Sequence, residues 1–135
     1  MRKIDVFFYG LFMDEDLLRM KGVIHPNLRL ATLKGFQLRI GNRATLVPAQ
    51  SGQVFGLVAS LSHNDLERLY SEPSVQAYKP EAVLVQLSNL DVLPALCFNL
   101  LEPPSADEGN AEYASKLRAL ARRLNFPEEY ISSIQ

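Results

Sequence analysis

Apolar positions change period several times along the chain, and each change marks an element. Residues 4–9, IDVFFY, are β-branched and aromatic and predict a strand. Val6, Phe7 and Phe8 leave no polar face, as in a strand covered on both sides. Gly10 breaks the run. DEDLLRMKG follows, with its acids first and Arg19, Lys21 and Gly22 last. That order suits the helix dipole, and Gly22 suits a C-terminal cap, so a short helix is predicted. NLRLATLKGFQLRIG alternates about Lys34-Gly35: Leu28, Leu30 and Thr32 share one face, and Phe36, Leu38 and Ile40 share another. Two strands joined by a bend or turn are expected. ATLVPA adds a short strand ending at Pro48, and Ser51-Gly52 marks a turn. QVFGLVASLS is a further strand, whose Gly56 signals a bulge, a barrel bend or a close approach.

SHNDLERLY starts with Ser62 as N-cap and has Asp65 three residues later, close to a capping box. Pro73 and Pro80 stop the helix, so SEPSVQAYKP is expected to be a loop. EAVLVQL and LPALCFNLL predict two strands joined near SNLDV, and Pro103-Pro104 opens another loop. Tyr113, Leu117, Leu120, Ala121 and Leu124 form one face of a terminal helix. Asn110 is its candidate N-cap, Asn125 ends it, and Pro127 suits the first position of a last short helix. The order predicts a single α+β domain over residues 1–135, with a meandering, mostly antiparallel sheet and helices packed outside.

Composition narrows the function. The 135 residues are 47% hydrophobic and 21% charged, ordinary for one globular core. Net charge is −1, from 14 basic and 15 acidic residues, so no global excess attracts nucleic acid or an anionic membrane. No apolar stretch approaches the roughly 20 residues of a membrane span. Asp5 interrupts the first apolar run, and no small-residue cleavage site follows it, so a signal peptide is not expected. Cys97, the single cysteine, excludes an internal disulfide. A reducing compartment fits, and the cytoplasm is the expected location. Cys97 lies in an apolar strand and reads as a small core residue. His25 and His63 read as exposed, and without HxH or HExxH spacing no metal site is expected. Lys116, Arg118, Arg122 and Arg123 give the last helix a basic side, read as a solvated face or as a site for an anionic partner.

The strongest chemical hint is the junction VFFYGLFMDEDLL. A strand running through Tyr-Gly into a helix leaves backbone N–H groups without helical partners, a small anion site. Gly10 permits unusual dihedrals and leaves room for a ligand. An ordinary strand-to-helix turn is the plain alternative.

Here the chain resembles the gamma-glutamylcyclotransferase-like family. VFFYGLFM is similar to the family's opening strand and Tyr-Gly-Ser/Thr loop. ATLKGFQLRI resembles its second segment, GQVFGLVASLSHNDLERLYSEPSVQAY its central block, and YASKLRALARRLNFPEEY the ending of some members. The likeness runs over residues 4–87 and more loosely beyond, and it rests on order and spacing rather than on any one motif. It implies a barrel-like sheet and a cofactor-free enzyme acting on a small γ-glutamyl substrate. The substrate's α-amine attacks its own γ-carbonyl, releasing 5-oxoproline and an amine or peptide. One carboxylate of raised pKa can remove and return the proton, while backbone N–H groups hold the oxygens.

Carried over by position, Glu72 is the acid/base, Gly10, Leu11, Phe12 and Met13 supply donors, Tyr9 lines the site, and Tyr78 bonds substrate. Glu81 is a second candidate for the acid. The chain departs from the family at three places: Leu11 replaces a hydroxyl residue, Tyr70 an aspartate, and Pro80 a basic residue. Glu72 also falls three residues after Leu69, where the family spacing is four. These departures keep open a non-catalytic ligand-binding or regulatory protein of the same fold, and also a scaffold without a pocket. A role for Asn99 in binding substrate is a further possibility. The leaving group and the oligomeric state are left unassigned.

Overall fold

The computed structural model describes residues 2–135. Five strands close into a barrel in the order β1-β3-β2-β4-β5: β1 (Ile4–Phe8), β2 (Arg29–Ile40), β3 (Ala44–Leu61), β4 (Tyr78–Leu87) and β5 (Val92–Leu100). A 3-10 turn at Leu11–Met13 and four helices lie outside: α1 (Glu15–Met20), α2 (His63–Tyr70), α3 (Ala111–Arg123) and α4 (Glu128–Ser133). This is the α+β, barrel-like arrangement expected.

β1 closes the barrel. It pairs antiparallel with β3 (Val6↔Ala59) and parallel with β5 (Val6↔Leu96). A strand with partners on both sides and neighbours on both faces needs the unbroken apolar run, and Val6, Phe7 and Phe8 are all buried. Gly56 is where this strand presses closest. A Cβ there would lie 2.2 Å from the Phe8 carbonyl oxygen and 2.6 Å from the Phe7 ring.

Four local expectations change. Residues 29–40 form one strand rather than two. Gly35, at φ +88°, takes up the bend where the β2–β3 register shifts between Lys34 and Phe36. The expected turn at Ser51-Gly52 does not reverse the chain. Pro48 pairs with Phe36 and Gln53 with Lys34, so residues 49–52 bulge opposite Gly35 and the strand runs on. β4 begins at Tyr78, inside the expected loop. Pro80 is tolerated because β2 meets β4 only at Ala31↔Leu87 and Thr32↔Gln86, leaving β5 as the ladder partner around Pro80. Pro127 is the N-cap of α4 rather than its first residue.

The helix ends follow the sequence. Ser62 and Asp65 make a full capping box, and Asn110 accepts from the Tyr113 amide at 3.0 Å. Gly22 and Asn125 end their helices at φ +87° and +61°. Cys97 is a core residue. The basic side of α3 is partly engaged: Arg123 faces Asp14, Lys116 faces Glu112, and Arg118 donates to the Ile134 carbonyl.

Gly56→Ala should destabilise the fold by about 2 kcal/mol or more, because backbone and a packed ring oppose the added methyl. Gly109→Ala, with nothing within 4 Å of its Cβ position, should be near neutral. Urea unfolding of both variants measures the contrast, and equal stability would contradict the closeness of β1 and β3.

Candidate functional site

The strand that closes the barrel ends beside a cavity of about 250 Å³, lined in part by Tyr9, Gly10, Leu11 and Phe12. A cavity beside Gly10 argues against a scaffold without a pocket. Half of the lining residues are aromatic. Tyr70 stacks on Phe98 with centroids 4.0 Å apart at 14°. Phe12 meets Phe8 and Tyr70 edge-on, each at 5.6 Å. Tyr70, which stands where the family has an aspartate, is thus one plate of an aromatic wall.

Two of the tyrosine hydroxyls are tied to backbone. Tyr9 donates to the Phe98 carbonyl at 2.7 Å, which fixes the end of β1 to β5. The Tyr78 hydroxyl donates to the Ala44 carbonyl. The Tyr113 hydroxyl lies over Gly10, 2.4 Å from where a Cβ would stand, so a side chain at Gly10 would displace the Tyr113 ring. Burial pushes the Tyr9, Tyr70 and Tyr113 hydroxyls up; at Tyr113 the nearby Leu11 amide opposes the rise. Tyr78 is pushed up to about 12 by burial, against the pull of the Arg43 cation. These groups stay neutral at ordinary pH: they position and hydrogen-bond, and do not act as bases.

The turn itself is partly self-satisfied. The Met13 amide donates to the Gly10 carbonyl and the Asp14 amide to the Leu11 carbonyl, both at 3.0 Å. Met13 is buried and does not line the cavity. Met13 therefore leaves the expected donor set, and Gly10, Leu11 and Phe12 stay beside the cavity.

Among the described residues no carboxylate lines the cavity. The loop after α2 turns at Glu72, whose carbonyl accepts from the Val75 amide at 3.0 Å, and Ser74 and Val75 face the cavity. The Glu72 side chain instead meets Lys21, Nζ to Oε1 at 2.6 Å, and is 46% exposed. The shielded setting expected for an acid/base is not found there. Glu81 is also outside. Alternation along β4 puts it on the face of buried Val83 and Val85, opposite the face that Tyr78 shows the cavity. It accepts from Asn99 Nδ2 at 2.7 Å, while Asn99 Oδ1 accepts from the Leu46 amide at 3.2 Å. Asn99 is thus a buried cross-brace in the barrel, on the side away from the cavity.

Among the lining residues that carry no site signal in the sequence are Tyr113, Phe98 and Arg43. Tyr113 was legible only as a member of a helix face, and Phe98 only as strand. Arg43 lies in a turn and had no signal at all. Among the described residues no three His, Cys, Asp or Glu side chains cluster as metal ligands, and no helix is long and apolar enough to cross a membrane.

Comparison with known proteins bears on this geometry. The family described as "Gamma-glutamyl cyclotransferase, AIG2-like" matches residues 6–116. No curated protein is close enough in sequence to count as a match. A solved structure named gamma-glutamyl cyclotransferase superimposes with a TM-score of 0.80 at 19% identity, covering 99% of this chain and 89% of that one. An uncharacterized protein of Homo sapiens gives 0.80 at 19%, covering 100% and 89%. YkqA of Bacillus subtilis gives 0.79 at 23%, covering 98% of this chain and 52% of its own. At these identities the structures establish a shared fold.

The buried hydroxyls and thiol set a pH dependence. Cys97 is pushed up to about 12 by burial, as are Tyr78 and Tyr130. Between their ordinary values, about 9–10, and 12, the unfolded chain has lost protons that the folded chain still holds. The contribution of these groups to stability should be constant below about pH 8 and fall as pH rises from 9 toward 12. Denaturant midpoints across that range measure it, and a flat profile would contradict the burial of these groups.

Proposed function

Because this chain belongs to the gamma-glutamyl cyclotransferase, AIG2-like family, we propose that its cavity binds the γ-glutamyl part of a small amide and that the bound group is cyclised. The observation that carries the binding is the coincidence of the cavity with the turn at the end of β1. Its volume suits an amino-acid derivative rather than a macromolecular segment. The glutamyl carboxylate and carbonyl oxygens lie against the backbone of Gly10, Leu11 and Phe12, and the methylenes lie against the rings. Tyr9 and Tyr78 act through the backbone they hold.

In the reaction the substrate's α-nitrogen bonds to its γ-carbon and the amide C–N bond breaks. 5-Oxoproline and a free amine result. A proton leaves the attacking nitrogen and one reaches the departing nitrogen, so a carboxylate serves both steps in turn. Glu72, two residues before Ser74 on the cavity wall, is the candidate. To act, its side chain has to exchange Lys21 for the substrate. The chemistry asks for no cofactor. The single buried thiol suits a reducing compartment, and the cytoplasm is the proposed location.

A second reading, capture of the ligand without turnover, is favoured by one observation: among the described residues no carboxylate lines the cavity, and Glu72 is held by Lys21. A panel of γ-glutamyl amides incubated with wild type and Glu72→Gln, read as 5-oxoproline released and as ligand bound, separates the two. Cyclisation through Glu72 predicts product from wild type and a loss of about 100-fold in the variant. Saturable binding without product establishes the second reading. Turnover unchanged by the variant removes Glu72 from the mechanism, and absence of both binding and product overturns the γ-glutamyl assignment.

A further inference from the structure

We propose that Arg43 determines specificity in this cavity, taking a carboxylate on the amine half of the amide while the turn at Gly10–Phe12 holds the glutamyl half; the inference rests on the γ-glutamyl reading above.

Arg43 lies in the connection between β2 and β3, and its turn is held from several directions. The Gly41 amide donates to the Arg43 carbonyl at 3.0 Å. The Asn42 amide donates to Glu108 Oε1 at 3.2 Å, and Asn110 Nδ2 donates to the Asn42 carbonyl at 3.3 Å. Pro104 packs so tightly on Gly41 that a Cβ there would lie 2.4 Å from the Pro104 Cβ. Asn110 also caps α3, and Tyr113 in the first turn of α3 rests its hydroxyl over Gly10. The turn bearing Arg43 and the turn at the end of β1 are therefore fixed to one post, the start of α3.

Arg43 is exposed to solvent and is one of the residues lining the cavity. Among the described residues it is the one cationic residue lining that space, and no Asp or Glu lines it. None of the ion pairs among the described residues uses it. Glu108, the acid nearest along these contacts, spends its oxygens on Ser105 and Asn42. Arg43 also acts electrostatically on the hydroxyl of Tyr78, another of the lining residues.

An unpaired guanidinium at an aromatic, acid-free cavity favours an anion, which it can grip through two parallel N–H groups. A γ-glutamyl amide of a simple amine is electrically neutral overall, since its ammonium and carboxylate cancel. A carboxylate on the amine half supplies the negative charge that the cavity lacks.

Isothermal titration with γ-glutamylalanine and its neutral isostere γ-glutamylalaninamide tests this. Wild type should bind the acid about tenfold or more tightly than the amide. Arg43→Gln should reduce that preference to under about twofold, chiefly by weakening binding of the acid. Arg43→Lys should keep an intermediate preference, because charge is retained and the fork is lost. A preference between two ligands is a readout that a merely structural role of Arg43 does not move. Equal affinity in wild type, or a preference kept in Arg43→Gln, overturns the inference and leaves the γ-glutamyl reading standing. Binding of neither compound overturns that reading and the inference together.

Discussion

Everything near the cavity depends on how the first strand is held. β1 is bonded on one edge to β3 and on the other to β5, and the Gly56 backbone lies under its Phe7 and Phe8. Tyr9 then ties the strand's end to the Phe98 carbonyl at 2.7 Å. A closed barrel has no free edge along which this strand can slip, and a one-residue slip would exchange its faces. The position of the Gly10 turn is therefore a consequence of barrel closure rather than of the turn's own sequence.

From that anchor the aromatic wall follows. Tyr70, from the last turn of α2, stacks on Phe98 of β5, and Phe12 meets Tyr70 edge-on. Elements distant in sequence thus meet at the same few rings. An apolar, ring-lined space raises the worth of each polar contact made inside it. The polar residues lining it include Asn42, Ser74 and Arg43, beside the backbone near Gly10.

Much of the fold was legible because its signals are local. Ser62 and Asp65 announce a capped helix, the run Val6–Phe8 announces a strand covered on both faces, and Gly56 announces a close approach. The continuity of β3 was not legible. Ser51-Gly52 carries ordinary turn chemistry, and only the partner register shows that it forms a bulge. The site was legible at the backbone and obscure in its side chains. Tyr-Gly marked the turn, and Tyr9, Gly10, Leu11, Phe12 and Tyr78 do line one cavity. The acid was harder, since a glutamate in a Pro-flanked loop has the same sequence whether it faces a pocket or a lysine. Lys21 is 51 residues from Glu72, and nothing local couples them. Arg43 and Tyr113 reach the cavity through long-range contacts that no window of sequence contains.

The central claim is that the turn at the end of β1 is the binding surface for a γ-glutamyl group. A crystal structure of the protein with bound 5-oxoproline tests it most directly. The account predicts the ring between the aromatic walls and its carboxylate against the backbone of Gly10, Leu11 and Phe12. A ligand seated instead on the opposite side of β4, near Glu81 and Asn99, or bound only outside the cavity, would contradict it.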